Sequence, residues 1–238
     1  MKTHIALLAL AAIAVTGCSE TSPAGPSEFA FERSAANAPS STLTINTDED
    51  YYCTSSVTGS FENVYVPEGA SCTLTSAVVS GNILAKQGAR LFVHETTTGG
   101  NIDGVEAAVL EVRGGRLEGS IQAQDGQSAG QTGIRIYGGT VLTQGNITIQ
   151  KMNTGTLSIT DAQLLKGNIQ VQENRVGQRL EILRNRVAQN LEVFVNSGPG
   201  SKEVSGNTVQ QKLSCKDNTR PFVGGPNTAG DVEGQCRR

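Results

Sequence analysis

Beyond residue 40 the chain is written in short alternations of apolar and polar residues, and no stretch sustains the spacing of an amphipathic helix. Leu91/Val93, Leu110/Val112, Ile134/Ile136, Leu157/Ile159 and Leu180/Ile182 are pairs of apolar residues separated by a single residue. That period predicts strands, because alternate side chains of an extended backbone leave opposite faces. A tripeptide recurs with the strands. Gly81-Asn82-Ile83 returns as Gly100-Asn101-Ile102, Gly119-Ser120-Ile121, Gly145-Asn146-Ile147 and Gly167-Asn168-Ile169. Degenerate copies are Gly59-Ser60-Phe61, Gln189-Asn190-Leu191 and Gln211-Lys212-Leu213. The starts are separated by 22, 19, 19, 26, 22, 22 and 22 residues, and a ninth copy begins at Gly230.

Apolar rows keep register with these starts. Two residues after them lie Phe61, Ile83, Ile102, Ile121, Ile147, Ile169, Leu191 and Leu213. Two residues before lie Val57, Val79, Leu117, Leu165, Val187 and Val209. A repeat of this length cannot bury its own apolar edge, whereas stacked copies bury each row against its equivalents above and below. The expected fold is all-β: a single-chain parallel β-helix over residues 41–238, with about eight or nine coils. At ~4.8 Å per coil it is a rod roughly 40 Å long. Parallel crossovers favour right-handed winding. A left-handed hexapeptide helix would need a six-residue period, and leucine-rich repeats a leucine-dense consensus; neither is found. Residues 122–133, polar and glycine-rich within the 26-residue coil, are expected to form a mobile insertion. Asn82, Asn101, Asn146, Asn168 and Asn190 share one register position. Stacked at a turn, their amides can bond coil to coil as a structural ladder; independent turn asparagines are the alternative.

The N-terminus has a different pattern. Lys2 precedes an apolar run from Ile5 to Val15, too short for a membrane-spanning helix and suited to a secretory signal. It ends in Val15-Thr16-Gly17-Cys18. This resembles the lipobox of bacterial lipoproteins, which implies cleavage after residue 17 and acylation of Cys18. More than one acyl chain anchors stably. Residues 18–40 are rich in serine, alanine and proline without periodicity, and read as a flexible tether. With Cys18 acylated, four of the five cysteines remain. Cys53 and Cys72 are 19 apart and Cys215 and Cys236 are 21 apart, each one coil. Neighbouring coils bring such positions within disulfide reach, so Cys53–Cys72 and Cys215–Cys236 are expected to staple the two ends.

Composition leaves little chemistry. The formal net charge is −3, which disfavours nucleic acid as a partner. Loss of residues 1–17 would leave His94 as the only histidine, so histidine triads and multi-histidine metal sites are not expected. No catalytic residue, metal or cofactor is assigned. The weak candidate surface site is Asp103, Glu111, Arg113 and Arg116, read alternatively as solvated rod-surface charge, and Tyr137 is the lone central aromatic. Gln122, Gln150, Gln170 and Gln172 form an outward amide row.

The coil starts, the Ser71-Cys72-Thr73-Leu74 step and the tail Gly206-Asn207-Thr208-Val209, Cys215, Asn227-Thr228 and Glu233-Gly234-Gln235-Cys236 resemble a group of exported bacterial β-helix proteins of unassigned function. The resemblance implies a fold and a compartment but no activity. A weaker likeness is to polymerising bactofilin-type β-helices. The expected function is a non-catalytic, lipid-anchored envelope protein, monomeric, serving as a rigid spacer or as an adhesion module for an envelope polysaccharide or protein. The alternatives are a polysaccharide-active lyase or hydrolase, and a self-assembling scaffold.

Overall fold

A computed structural model describes residues 42–237, with residues 129–131 described as backbone only. The signal segment 1–17, Cys18 and the tether to residue 40 lie outside the described residues. Among the described residues there is no helix, and 26 strands form one sheet whose pairings are parallel. The chain winds through about eight turns, each visiting three faces.

The first face carries Val64–Val66, Ile83–Ala85, Ile102–Val105, Ile121–Gln124, Ile147–Gln150, Ile169–Gln172 and Leu191–Phe194. The second carries Ser71–Thr75, Arg90–His94, Val109–Arg113, Gln127–Tyr137, Asn153–Thr160, Arg175–Leu183 and Ser201–Ser205. The third is built from two-residue strands such as Val78–Val79, Arg116–Leu117 and Gln163–Leu164. Each row of inward residues is a vertical stack. Val64, Ile83, Ile102, Ile121, Ile147, Ile169, Leu191 and Leu213 pair successively, and all are fully buried. Each such side chain contributes roughly 1.5–3 kcal/mol through removal from water.

The core widens along the rod. The second inward row of the first face runs Ala85 and Gly104 in the 19-residue coils and Ala123 at the start of the 26-residue coil, then Ile149, Val171 and Val193 in the 22-residue coils. A longer coil encloses more space, and close packing requires larger side chains to fill it. Two corners turn through residues with left-handed backbone. Glu106, Asp125, Lys151, Glu173, Val195 and Asp217 end the first-face strands, all with φ between 54° and 58°. Ser76, Glu95, Gly114, Gly138, Asp161, Arg184 and Gly206 end the second-face strands. The repeat glycines have another cause. A Cβ on Gly100 would meet the Gly81 carbonyl and the Asn82 side chain, and one on Gly119 would meet the Gly100 carbonyl. Close stacking of coils, rather than positive φ, demands glycine there.

Four expectations change. Phe61 does not join the Ile83 row, where Val64 stands; it pairs Val79 on the third face, and Val57 pairs Leu74 on the second, so the Gly59 copy falls out of register with the others. Leu165 is exposed, and Leu164 fills the third-face row between Leu142 and Val187. In these two coils the corner before the Gly-Asn step holds one extra residue, so a fixed offset from the glycine selects the wrong side chain. Residues 122–133 do not form a loop. Apart from the corner at Asp125 and Gly126 they belong to Ile121–Gln124 and Gln127–Tyr137, and extra length is taken up by register shifts between Ser128 and Ile134. The segment that begins at Gly230 is the closing strand Thr228–Gly234, paired to Thr208–Lys216, rather than a full ninth coil.

The disulfides join Cys53 to Cys72 and Cys215 to Cys236, with Cα–Cα distances of 5.5 and 5.3 Å. The register behind this pairing differs from a one-coil match. Cys215 pairs Gly234, so the C-terminal bridge reaches two residues past the register partner. Cys53 directly follows Tyr51–Tyr52, which pairs Val64–Tyr65 on the first face, so the N-terminal bridge crosses to Cys72 on the second-face strand Ser71–Thr75. Two disulfides accord with an oxidising compartment outside the cytoplasm.

Candidate functional site

On an outward strand face, a one-step move in the stack places neighbours ~4.8 Å apart. The second face uses this at its centre. Phe92, Glu111 and Arg135 are register partners in three successive coils, and His94, Arg113 and Tyr137 form the next outward row. Three of these side chains, His94, Arg135 and Tyr137, converge on the Glu111 carboxylate. Glu111 Oε1 accepts the Tyr137 hydroxyl at 2.9 Å and lies 3.1 Å from His94 Nε2. Arg135 Nη1 donates to Oε2 at 3.4 Å. The Glu111 and His94 side chains are only 15% and 19% exposed, well below a solvated surface charge. The Arg135 guanidinium lies over the Tyr137 ring at 4.6 Å, a cation–π contact. The Phe92 ring meets the His94 ring edge-on.

A carboxylate with three donors is a positioning hub rather than a free base. The Tyr137 phenol is pushed above its ordinary pKa, first by partial burial, then by the hydrogen bond to Glu111 and that group's charge; Arg135 and Arg113 offset part of this. Tyr137 therefore stays a donor at neutral pH. Arg113 reaches Glu95 only at 4.0 Å, beyond hydrogen-bond length, and is 45% exposed.

The four candidates from the sequence do not form one site. Glu111 and Arg113 share the second face. Asp103 is half-buried on the first face between Leu84 and Gln122, where burial raises its carboxyl pKa. Arg116 is exposed on the third face between Thr97 and Val141. The coil corners between these strands separate the three positions. Phe92, His94, Arg135 and Tyr137 complete the cluster instead. Their signal was available: each lies one residue beyond an inward position of the pairs at 91/93, 110/112 and 134/136.

The first face carries an array of side-chain amides. Gln150 donates to Gln124 at 2.6 Å and Gln172 to Gln150 at 3.3 Å, while Gln170 donates to Glu192 at 3.0 Å. At its edge, the side-chain oxygens of Asn82, Asn101, Asn146, Asn168 and Asn190 accept the backbone N–H of the next coil, at 2.8–3.2 Å. Ser120 replaces asparagine in one coil and accepts through its hydroxyl.

Two further ladders are internal, and sequence reasoning missed them. Asn174, Asn196 and Asn218 follow the left-handed residues of one corner, and Asn185 and Asn207 those of the other. Each turns inward. The Asn196 amide donates to Val171 O at 2.9 Å and to Asn218 Oδ1 at 2.8 Å, and its oxygen accepts from Asn174. The 22-residue spacing of 174, 196 and 218 was the legible sign. Smaller residues, among them Ala77 and Ala107, occupy the equivalent corners of the narrower coils.

No family model, curated protein or solved structure matches this chain. The fold and the site define the class: a disulfide-stapled parallel β-solenoid with one half-buried polar cluster described on its second face.

Proposed function

We propose that this protein is exported, acylated on Cys18 and held at the cell envelope by the tether 18–40, with the solenoid acting as a rigid, non-catalytic spacer and adhesion module. The observation that carries this reading is the uninterrupted core, covalently closed at both ends. A solenoid frays from its terminal coils, and disulfides restrict that opening where thiols stay oxidised. The lipobox-like Val15-Thr16-Gly17-Cys18 supplies the anchor in this reading. The test is expression of the full chain and Cys18→Ala in a bacterium fed labelled palmitate. Label and membrane association are expected for the first and loss of both for the second. An unlabelled parent, or a labelled variant, overturns the anchor.

The Glu111 cluster motivates a second reading as a polysaccharide-active enzyme. Turnover of an acidic or neutral polysaccharide, lost in Glu111→Ala, would establish it. Engagement of Glu111 by His94, Arg135 and Tyr137 and retention of the Tyr137 proton favour recognition over acid–base turnover.

A further inference from the structure

The second face combines three features: side chains locked in place, cationic forks open to solvent, and no need of a deep cavity. Arg135 is held from two sides, by Glu111 and by the Tyr137 ring. One weak hydrogen bond to Glu111 leaves most of its five N–H donors available. Arg113 is its diagonal neighbour, with its fork beyond hydrogen-bond reach of Glu95. Arg90 is exposed on the same face. Three arginines thus stand against Glu95 and Glu111 on a chain whose net charge is −3. The patch is cationic on an acidic protein, and its complement is an anion. Guanidinium forks match planar carboxylates in bidentate geometry. Half-buried Phe92 adds an apolar surface beside them. Small-molecule sites are concave, whereas this is a sheet face with rows repeating at ~4.8 Å. Such a face suits an extended polymer that bears a carboxylate on its repeating unit.

We propose that the outward surface of Arg90–His94, Val109–Arg113 and residues 134–137 binds acidic glycans, with Arg113 and Arg135 taking a uronate carboxylate and Phe92 lying against the sugar ring. Glu111 and Tyr137 are positioning residues for Arg135. The inference deepens the adhesion part of the proposed function and is independent of the lipid anchor, which the palmitate experiment tests separately.

The experiment is affinity electrophoresis of the full chain, purified in detergent, through gels containing polygalacturonate, neutral dextran or polyglutamate. Retardation by polygalacturonate alone is expected. Arg113→Ala and Arg135→Ala should each weaken it roughly tenfold, the loss of a charge-assisted hydrogen-bond pair. Arg113→Lys and Arg135→Lys should weaken it comparably, because the charge stays but the fork is lost. Arg186→Ala, on the third face, should bind as the parent does. No retardation by polygalacturonate, or equal retardation by dextran or polyglutamate, overturns the proposal. So does parent-like binding by the lysine variants, which would reduce the patch to net charge, or an equal loss in Arg186→Ala.

Discussion

Asn196→Asp exchanges one atom and keeps the shape of the side chain, so it tests the inner ladder without making a cavity. The aspartate oxygen that replaces Oδ1 still accepts from Asn174. The other oxygen replaces an NH₂ group that donates to Val171 O at 2.9 Å and Asn218 Oδ1 at 2.8 Å. As a carboxylate it would face two oxygens with no proton between them, in a site fully removed from water. The folded protein must therefore hold it protonated, with a pKa raised above the unfolded value of about 3.9. The sign follows. A raised acid costs nothing while both states are protonated, and costs about 1.4 kcal/mol for each pH unit above the unfolded pKa until the folded pKa is reached. At pH 7 that is about 4 kcal/mol at most. The acid also supplies one donor where the amide supplied two, costing about 1 kcal/mol more at every pH. Urea unfolding followed by circular dichroism should find the variant less stable than the parent by up to about 5 kcal/mol at pH 7 and by about 1 kcal/mol at pH 4. Asn101→Asp, in the exposed ladder where the oxygen accepts the Ser120 N–H, should change stability by less than about 1 kcal/mol. A loss at pH 7 below about 1 kcal/mol, or one equal at both pH values, would refute the assignment of Asn196 as a buried double donor.

Thr98 fills a core position between Val79 and Leu117, with its hydroxyl buried and unpartnered. Thr98→Val should stabilise by about 1 kcal/mol and raise Tm by about 2–4 °C. Thr140→Val should do the reverse, since that hydroxyl donates to Tyr137 O at 2.9 Å. Lys202 replaces an apolar residue in the row between Leu180 and Phe222; its ammonium donates to Gly198 O and Gly200 O, and burial lowers its pKa from 10.5. The charged form is disfavoured on folding, so this cost is present at neutral pH and fades as pH rises through the lowered pKa toward 10.5. The stability difference between Lys202→Met and the parent should shrink over that window, and a pH-independent difference would contradict the burial argument. Removing the C-terminal bridge with Cys215→Ser and Cys236→Ser should cost about 3 kcal/mol, from the freed loop in the unfolded chain. Hydrogen exchange should show the loss of protection concentrated in 222–234, with 102–194 retaining theirs.

Strand period, repeat length and the cysteine pairs were legible along the chain because each is a one-dimensional regularity. Ile102, Ile121 and Ile147 announce their common row by spacing alone. Leu164 did not, because a single extra corner residue displaces it from the count. The functional cluster was half legible. Glu111 and Arg113 stood out as charges, whereas Asp103 and Arg116 are close in sequence to them yet lie on other faces. His94 and Tyr137 are 43 residues apart, and only the winding of the coils brings both beside Glu111.

By itself the sequence determined that this chain stacks: apolar residues at period two, repeated every 19 to 26 residues, leave no other way to bury an edge of each repeat. The tertiary structure alone decided which positions face one another across coils. It set the bulge within Gln127–Tyr137, the off-register course of the disulfides and the inward turn of Asn174, Asn196 and Asn218. The physical reason is that corner conformation and local coil length set lateral register, and a one-residue change there reassigns every neighbour that follows.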